Sequence, residues 1–173
     1  MTGTVILVEG ESDRVALEAA ARVLGLDLAG RDARVVSLGG AMNARRGAAA
    51  FGARGEGARL LGLCDRLEER YFREALADEA DAAYEVCVED LEDELMRALG
   101  ANGVLRVIEA DGLAGKLRTF SAQPAQREWS LERRLRRFVG TTAGRKIRYA
   151  RLLVEAAGPE GLPGPLVRLL GRL

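Results

Sequence analysis

Four short segments are almost wholly apolar, and each closes on polar residues or glycine: TVILVEG (4–10), ARVVSLGG (33–40), ARLLGLCD (58–65) and AAYEVCVED (82–90). Runs of this length with little alternation fit strands buried on both faces of a parallel sheet. Between them the apolar period lengthens. SDRVALEAAARVLG (12–25) puts Val15, Ala19 and Val23 on one helical face, with Ser12 placed as N-cap and Gly25 as C-terminal stop. NARRGAAAFG (43–52), LEERYFREALADEA (67–80) and LEDELMRALG (91–100) also read as helices. Strand and helix in alternation predict parallel βαβ units with right-handed crossovers.

Beyond Gly100 the pattern weakens. VLRVIEA (104–110) fits either a strand or a helical turn. SAQPAQREWSLERRLRRFVG (121–140) opens as a loop and becomes a basic amphipathic helix, with Leu131, Leu135 and Phe138 on one face. GRKIRYARLLVEAAG (144–158) is a further helix, and LPGPLVRLL (162–170) closes the chain. A length of 173 residues suits one domain with a substantial core. The expected class is α/β: a parallel sheet of about four strands flanked by helices. Residues 1–100 form its core, and a helical, basic C-terminal extension, residues 101–173, packs on it as part of one compact unit.

Composition narrows the chemistry. With 48 % apolar and 30 % charged residues the chain has the profile of a soluble globular protein. No apolar stretch approaches the roughly 18 residues that a membrane-crossing helix needs, and no leader precedes the first strand, so a cytoplasmic location is expected. Cys64 and Cys87 lie in strand-like runs and read as buried thiols. There is no histidine. Histidine-dependent nucleophiles, a histidine general base and most transition-metal sites are thereby excluded. GLAGKL (112–117) lacks the spacing and hydroxyl residue of a P-loop.

The net charge of zero hides an asymmetry. From Glu74 to Glu94 there are ten acidic residues and no basic ones; from Arg127 to Arg151 there are nine basic residues and two acidic ones. Such a division fits a metal site beside a phosphate-binding surface, and equally fits solvated helix faces of opposite sign.

The acids fall at informative places. Glu9 follows the first strand, Asp65 ends the third, and Glu89, Asp90 and Glu92 follow the fourth, while Asp13 lies one helical turn after Glu9. Functional groups of open parallel sheets gather at these carboxyl ends. Crowded carboxylates repel one another unless a cation lies between them. Without histidine, a hard oxygen-ligated ion such as Mg2+ is the natural candidate. Each acid taken singly also suits a helix N-terminus.

The stretches VEGESD, LGLCDRLEE and VCVEDLEDEL resemble a TOPRIM domain, the metal-binding fold of topoisomerases, primases and OLD (overcoming lysogenization defect) nucleases. LRTFSAQPAQR, LRRFVG, GRKIRYARLL and LPGPL extend the likeness over nearly the whole chain, toward stand-alone OLD-like TOPRIM proteins. The resemblance implies a TOPRIM-like, Rossmann-like sheet and a carboxylate site for Mg2+ or Mn2+ that acts on nucleic-acid phosphodiesters. By that resemblance Glu9, Asp13, Asp65 and Glu92 are metal ligands, and Glu9 and Lys146 are catalytic. The family's Asp-x-Asp motif is broken: Leu67 stands at the second aspartate position, followed by Glu68 and Glu69, either of which is a substitute ligand. The tyrosine of a topoisomerase belongs to a separate domain, so strand passage is not expected.

Arg45, Arg46, Arg134, Arg137, Arg145 and Arg148 are the candidate nucleic-acid contacts, with DNA favoured over RNA, and Trp129 is either core or a base-stacking side chain. The leading expectation is a metal-dependent nuclease. The alternative is a weak or inactive TOPRIM module that binds nucleic acid or serves as a subunit beside a separate ATPase.

Overall fold

The computed structural model describes residues 3–173. Strands β1 (Thr4–Val8), β2 (Ala33–Ser37), β3 (Arg59–Asp65) and β4 (Ala83–Cys87) form one parallel sheet in the order β2-β1-β3-β4. Val8 pairs with Ser37 on one side and Leu63 on the other, and Asp65 is in register with Cys87. The chain leaves β1 first toward β2 and later returns to its other side as β3. The crevice between β1 and β3 is therefore a topological switch point, where ligands of open α/β sheets bind.

Period-two alternation divides the buried side chains between two faces. Ile6, Val8, Leu61 and Leu63 face a large core that also takes in α1 (Glu11–Val23), α4 (Leu91–Ala110) and α7 (Ala143–Ala157). Val5, Leu7, Leu60 and Cys64 face a smaller one beneath α2 (Ala44–Phe51) and α3 (Glu69–Leu76). Gly62 sits on that second face because Phe72 of α3 is fully buried over it: a Cβ there would lie 2.8 Å from the ring.

The first helix departs from its sequence reading at both ends of the argument. It starts at Glu11 with Gly10 as N-cap, and Ser12 is buried instead of capping. Asp13 takes over the capping function, its Oδ2 accepting from the Gly10 N–H at 2.9 Å. Val15 and Val23 are only half-buried, while Ala16, Leu17 and Ala19–Ala21 are sealed. The small residues face inward because α7 packs closely along α1 in addition to the sheet.

Residues 104–110 are helical: Val104 and Ile108, one turn apart, both enter the large core. They belong to α4, which is broken at Gly100 (φ 66°, ψ 165°). A short helix, α5 (Ala114–Ser121), stands where no element was expected, followed by α6 (Leu131–Val139) and, after α7, by α8 (Gly164–Leu170). The C-terminal helices share the core of the strands. Tyr149, Ala150, Leu153 and Val154 of α7 are buried in one cluster with Ile6, Leu17 and Leu95. Arg168 of α8 and Arg172 just beyond it bind Glu85 of β4 at 2.8 and 3.1 Å. Cys64 and Cys87 are buried free thiols. Among the described residues, no helix is long and apolar enough to cross a membrane.

Candidate functional site

Glu9 and Asp65 meet at the switch point. The Asp65 N–H donates to Glu9 Oε1 at 2.8 Å, bridging the ends of β1 and β3. Burial pushes the Glu9 carboxyl up to about 8; the Asp65 N–H opposes that shift, and Glu68 and Asp65, both acidic and close by, add to it. Asp65 is raised to about 7, first by burial and then by Asp13, Asp90 and Glu92. Asp13 is also raised by burial, against the pull of Gly10 N–H and Lys146. The four-residue spacing of Glu9 and Asp13 thus has a local cause: the second acid closes the turn that carries the first into the crevice.

Glu92 enters from the first turn of α4. It is 6 % exposed, and neither carboxylate oxygen accepts a hydrogen bond. Lys146 of α7 stands 3.4 Å from Oε1, close enough for an ion pair but outside hydrogen-bonding geometry. Partial burial alone would lower the Lys146 pKa, but Glu92, Asp13 and Asp90 outweigh it and hold the ammonium above its ordinary value. Burial, again the largest cause, raises Glu92.

Glu9, Asp13, Asp65, Asp90, Glu92 and Lys146 line one cleft of about 410 Å³. Asp90, read from sequence as one of the acids after the fourth strand, was not among the metal ligands that the resemblance implied; an acid directly before a helix is also an N-cap signal. Its Oδ1 accepts from Asp93 N and its Oδ2 from Arg136, both at 2.8 Å. Glu68 and Glu69 separate: Glu68 lies against Glu9, whereas Glu69 accepts from the Tyr84 hydroxyl at 3.3 Å. Leu67 is 91 % exposed on the rim.

A second cavity, about 370 Å³, shares Asp90, Glu92 and Lys146 with the first and is otherwise lined chiefly by Trp129, Arg133, Arg136 and Arg137. Acidic and basic surfaces therefore form one continuous groove. Of the six arginines expected to contact nucleic acid, Arg137 lines this groove. Arg45 pairs with Glu74, Arg148 pairs with Asp111, and Arg46 is exposed on α2. Arg145 stacks on Phe138 and donates to its carbonyl, while Arg134 is half-buried with Nε lacking a hydrogen-bond partner. Arg133 and Arg136 take the places in the groove. Sequence periodicity marked them as part of the basic face without saying which of its members turn toward the acids.

Residues 2–65 match the family profile of the overcoming lysogenization defect protein-like TOPRIM domain. Over its length the chain is similar in structure to the C-terminal region of the Burkholderia pseudomallei OLD protein, with a TM-score of 0.71, 23% identity and coverage of 99% of this chain and 96% of that one. The C-terminal region of the Xanthomonas campestris pv. campestris OLD protein matches with a TM-score of 0.70 and 25% identity, covering 99% and 94%. This is an OLD-like TOPRIM fold. No curated protein matches the chain significantly.

TOPRIM domains bind divalent metal ions, and the residues in the cleft suit such an ion in kind. All the acids offer hard oxygen donors, and the buried Glu92 carboxylate has two oxygens without partners. As they stand, no three acidic or thiol side chains among the described residues are gathered closely enough to hold a metal. These acids would have to close around the ion on binding.

Proposed function

We propose that this chain is a divalent-metal-dependent phosphodiesterase of nucleic acid, DNA more than RNA, with its site at the switch point of the sheet. The observation that carries this reading is Glu92: a carboxylate sealed from water, with both oxygens unbonded, facing Lys146 in a cleft shared with Glu9, Asp13 and Asp65. An unsatisfied buried charge is costly to maintain, and a cation at that point removes the cost.

Glu9, Asp13, Asp65 and Glu92 would hold Mg2+ or Mn2+, with Glu68 the better placed of the two adjacent glutamates. When bound, such ions supply Lewis-acid stabilisation of a phosphodiester and an activated water for in-line displacement. Lys146 keeps its proton and stabilises charge building on the phosphoryl oxygens. Arg133 and Arg137 hold flanking phosphates, giving affinity with little sequence preference, while Arg136 is tied to Asp90 and Asp93. Glu9 and Asp65, held partly protonated by burial and by neighbouring acids, would release those protons as the ion enters.

The test is incubation of supercoiled plasmid and single-stranded DNA with Mg2+ or Mn2+, alongside Glu9→Ala and Lys146→Ala. Metal-dependent cleavage lost in both variants supports the proposal. Leu67 at the second aspartate position favours a second reading, a nucleic-acid-binding module that acts beside a separate ATPase subunit. Absence of cleavage with either metal, with binding retained, would favour it.

A further inference from the structure

Trp129 is the chain's one tryptophan, and it is not core. It sits partly buried in the turn between the 3-10 segment Pro124–Gln126 and α6, directly before the N-cap Ser130, whose Oγ accepts from Arg133 N at 3.2 Å. An apolar residue at that position ordinarily packs against an apolar residue in the first helical turn. The corresponding position here is Arg134. Trp129 lies outside the hydrophobic core and is partly exposed, with the Arg133 guanidinium 4.2 Å from its ring centre.

Both side chains line the cavity that holds Glu92 and Lys146. A guanidinium on an indole is a stacking surface of two kinds, since nucleobases stack on aromatic rings and on Arg planes alike. A bare cation–π pair on open surface would need no further account. This one opens instead into a cavity of about 370 Å³ whose other walls carry Arg136, Arg137, Lys146 and the buried acid.

From this juxtaposition we infer that Trp129 and Arg133 form a platform for an unpaired base, beside the phosphate held at Lys146, and that the substrate presents single-stranded nucleic acid to the site. In a duplex, both faces of a base are already covered by its neighbours, and exposing one requires unstacking. An unpaired strand offers its base faces at no such cost. Lys146 and Arg137 give backbone contact to either form; the platform discriminates between them. The inference rests on the nucleic-acid reading of the same cleft and adds the strandedness of the substrate.

The lone tryptophan is its own reporter. In chelator, so that no cleavage occurs, the full chain is titrated with a short oligothymidylate and with a blunt duplex of equal length while Trp129 emission is followed. Quenching by the single strand and not by the duplex is expected. Trp129→Ala should weaken single-strand binding, read by anisotropy of a labelled oligonucleotide, by roughly 5- to 150-fold, as loss of one base–aromatic stack predicts. Duplex binding should be unchanged, and Trp129→Phe should restore most of the loss. Equal quenching by both forms, or an alanine variant that binds the single strand as the wild type does, overturns the inference. Its failure is separable from that of the nuclease reading. Cleavage with a silent Trp129 removes the platform alone, whereas single-strand quenching without cleavage in either metal leaves the platform and removes the catalysis.

Discussion

A single residue, Glu92, concentrates the tension in this site. Its carboxylate is 6 % exposed with neither oxygen hydrogen-bonded, and Lys146 at 3.4 Å only partly offsets the burial. Glu92→Gln keeps the shape and removes the charge. The metal-free protein should gain stability at pH values where Glu92 would otherwise be ionised, because the buried charge is gone while Lys146, partly exposed, stays solvated. The rise in melting temperature with added Mn2+ should shrink or vanish; thermal unfolding with and without the ion measures both effects. The neighbouring acids make the same point through pH. Glu9 at about 8 and Asp65 at about 7 bind protons more tightly folded than unfolded. Their burial therefore costs nothing at pH values below the ordinary carboxylate range, where both states are protonated, and stability falls as pH rises from that range through about 8. In chelator, melting temperature should decline between pH 5 and 8, and saturating Mn2+ should flatten or reverse that slope; a rise with pH in chelator would contradict the site's electrostatics. Legibility was good for these residues because chain order alone put them at strand ends. It was poor for the entry of Asp90 into the cleft beside the ligands, and for choosing Glu68 over Glu69, because those outcomes depend on how a 3-10 turn and a helix start orient adjacent side chains.

At the scale of elements, α4 decides how Glu92 and Asp90 are presented. Its first turn is held by Asp90 capping Asp93 N and by Arg136 of α6, which reaches Asp90 at 2.8 Å and Asp93 at 3.3 Å. Ten residues later Gly100 takes φ 66° and ψ 165°, a region of backbone space essentially closed to other residues, and the helix resumes in a new direction. Nothing lies within 4 Å of a Cβ built there, so the penalty for Gly100→Ala is backbone strain alone. A loss of about 1–3 kcal/mol is expected, read as a lower midpoint in urea with an unchanged slope. The four strands and this glycine stop were legible because buried parallel strands and helix ends leave strong local marks. α5 was missed because Leu117 is its one sealed side chain, too little to impress a period on the sequence. The capping role assigned to Ser12 failed for another reason: the helix starts earlier, with Gly10 as N-cap, and Asp13 accepts from the Gly10 N–H. The resemblance to TOPRIM domains conveyed the sheet and its acids. It did not convey which arginines line the groove, since α6 and α7 carry cations on every side and packing alone selects among them.

For the molecule as a whole, equal numbers of cations and anions mean that nucleic acid is not drawn in by net charge. The acidic run of residues 74–94 is largely neutralised locally: Glu74 by Arg45, Glu85 by Arg168 and Arg172, Glu94 by Arg97, and Asp90 and Asp93 by Arg136. What remains is a short groove in which unneutralised carboxylates adjoin a few cations. Arg136 is committed to its acids, while Arg133 and Arg137 make no ion pair among the described residues, and Lys146 has Glu92 alone within ion-pair distance. Three phosphate contacts on a single strand correspond to a log–log slope of affinity against salt of about −2, and Arg137→Ala should reduce it to roughly −1.4. The acids add a condition. Glu9, Asp65 and Glu92 repel a phosphodiester until a cation lies between them, so at fixed ionic strength a divalent ion should tighten single-strand binding. Glu92→Gln should mimic part of that gain without metal. Anisotropy titrations across salt, with and without Ca2+ as an ion chosen to limit turnover, separate the two contributions. A steep slope near that of an extensively basic protein would place the binding surface outside this groove. Binding that a divalent ion weakens would mean that the phosphate does not approach the carboxylates at all.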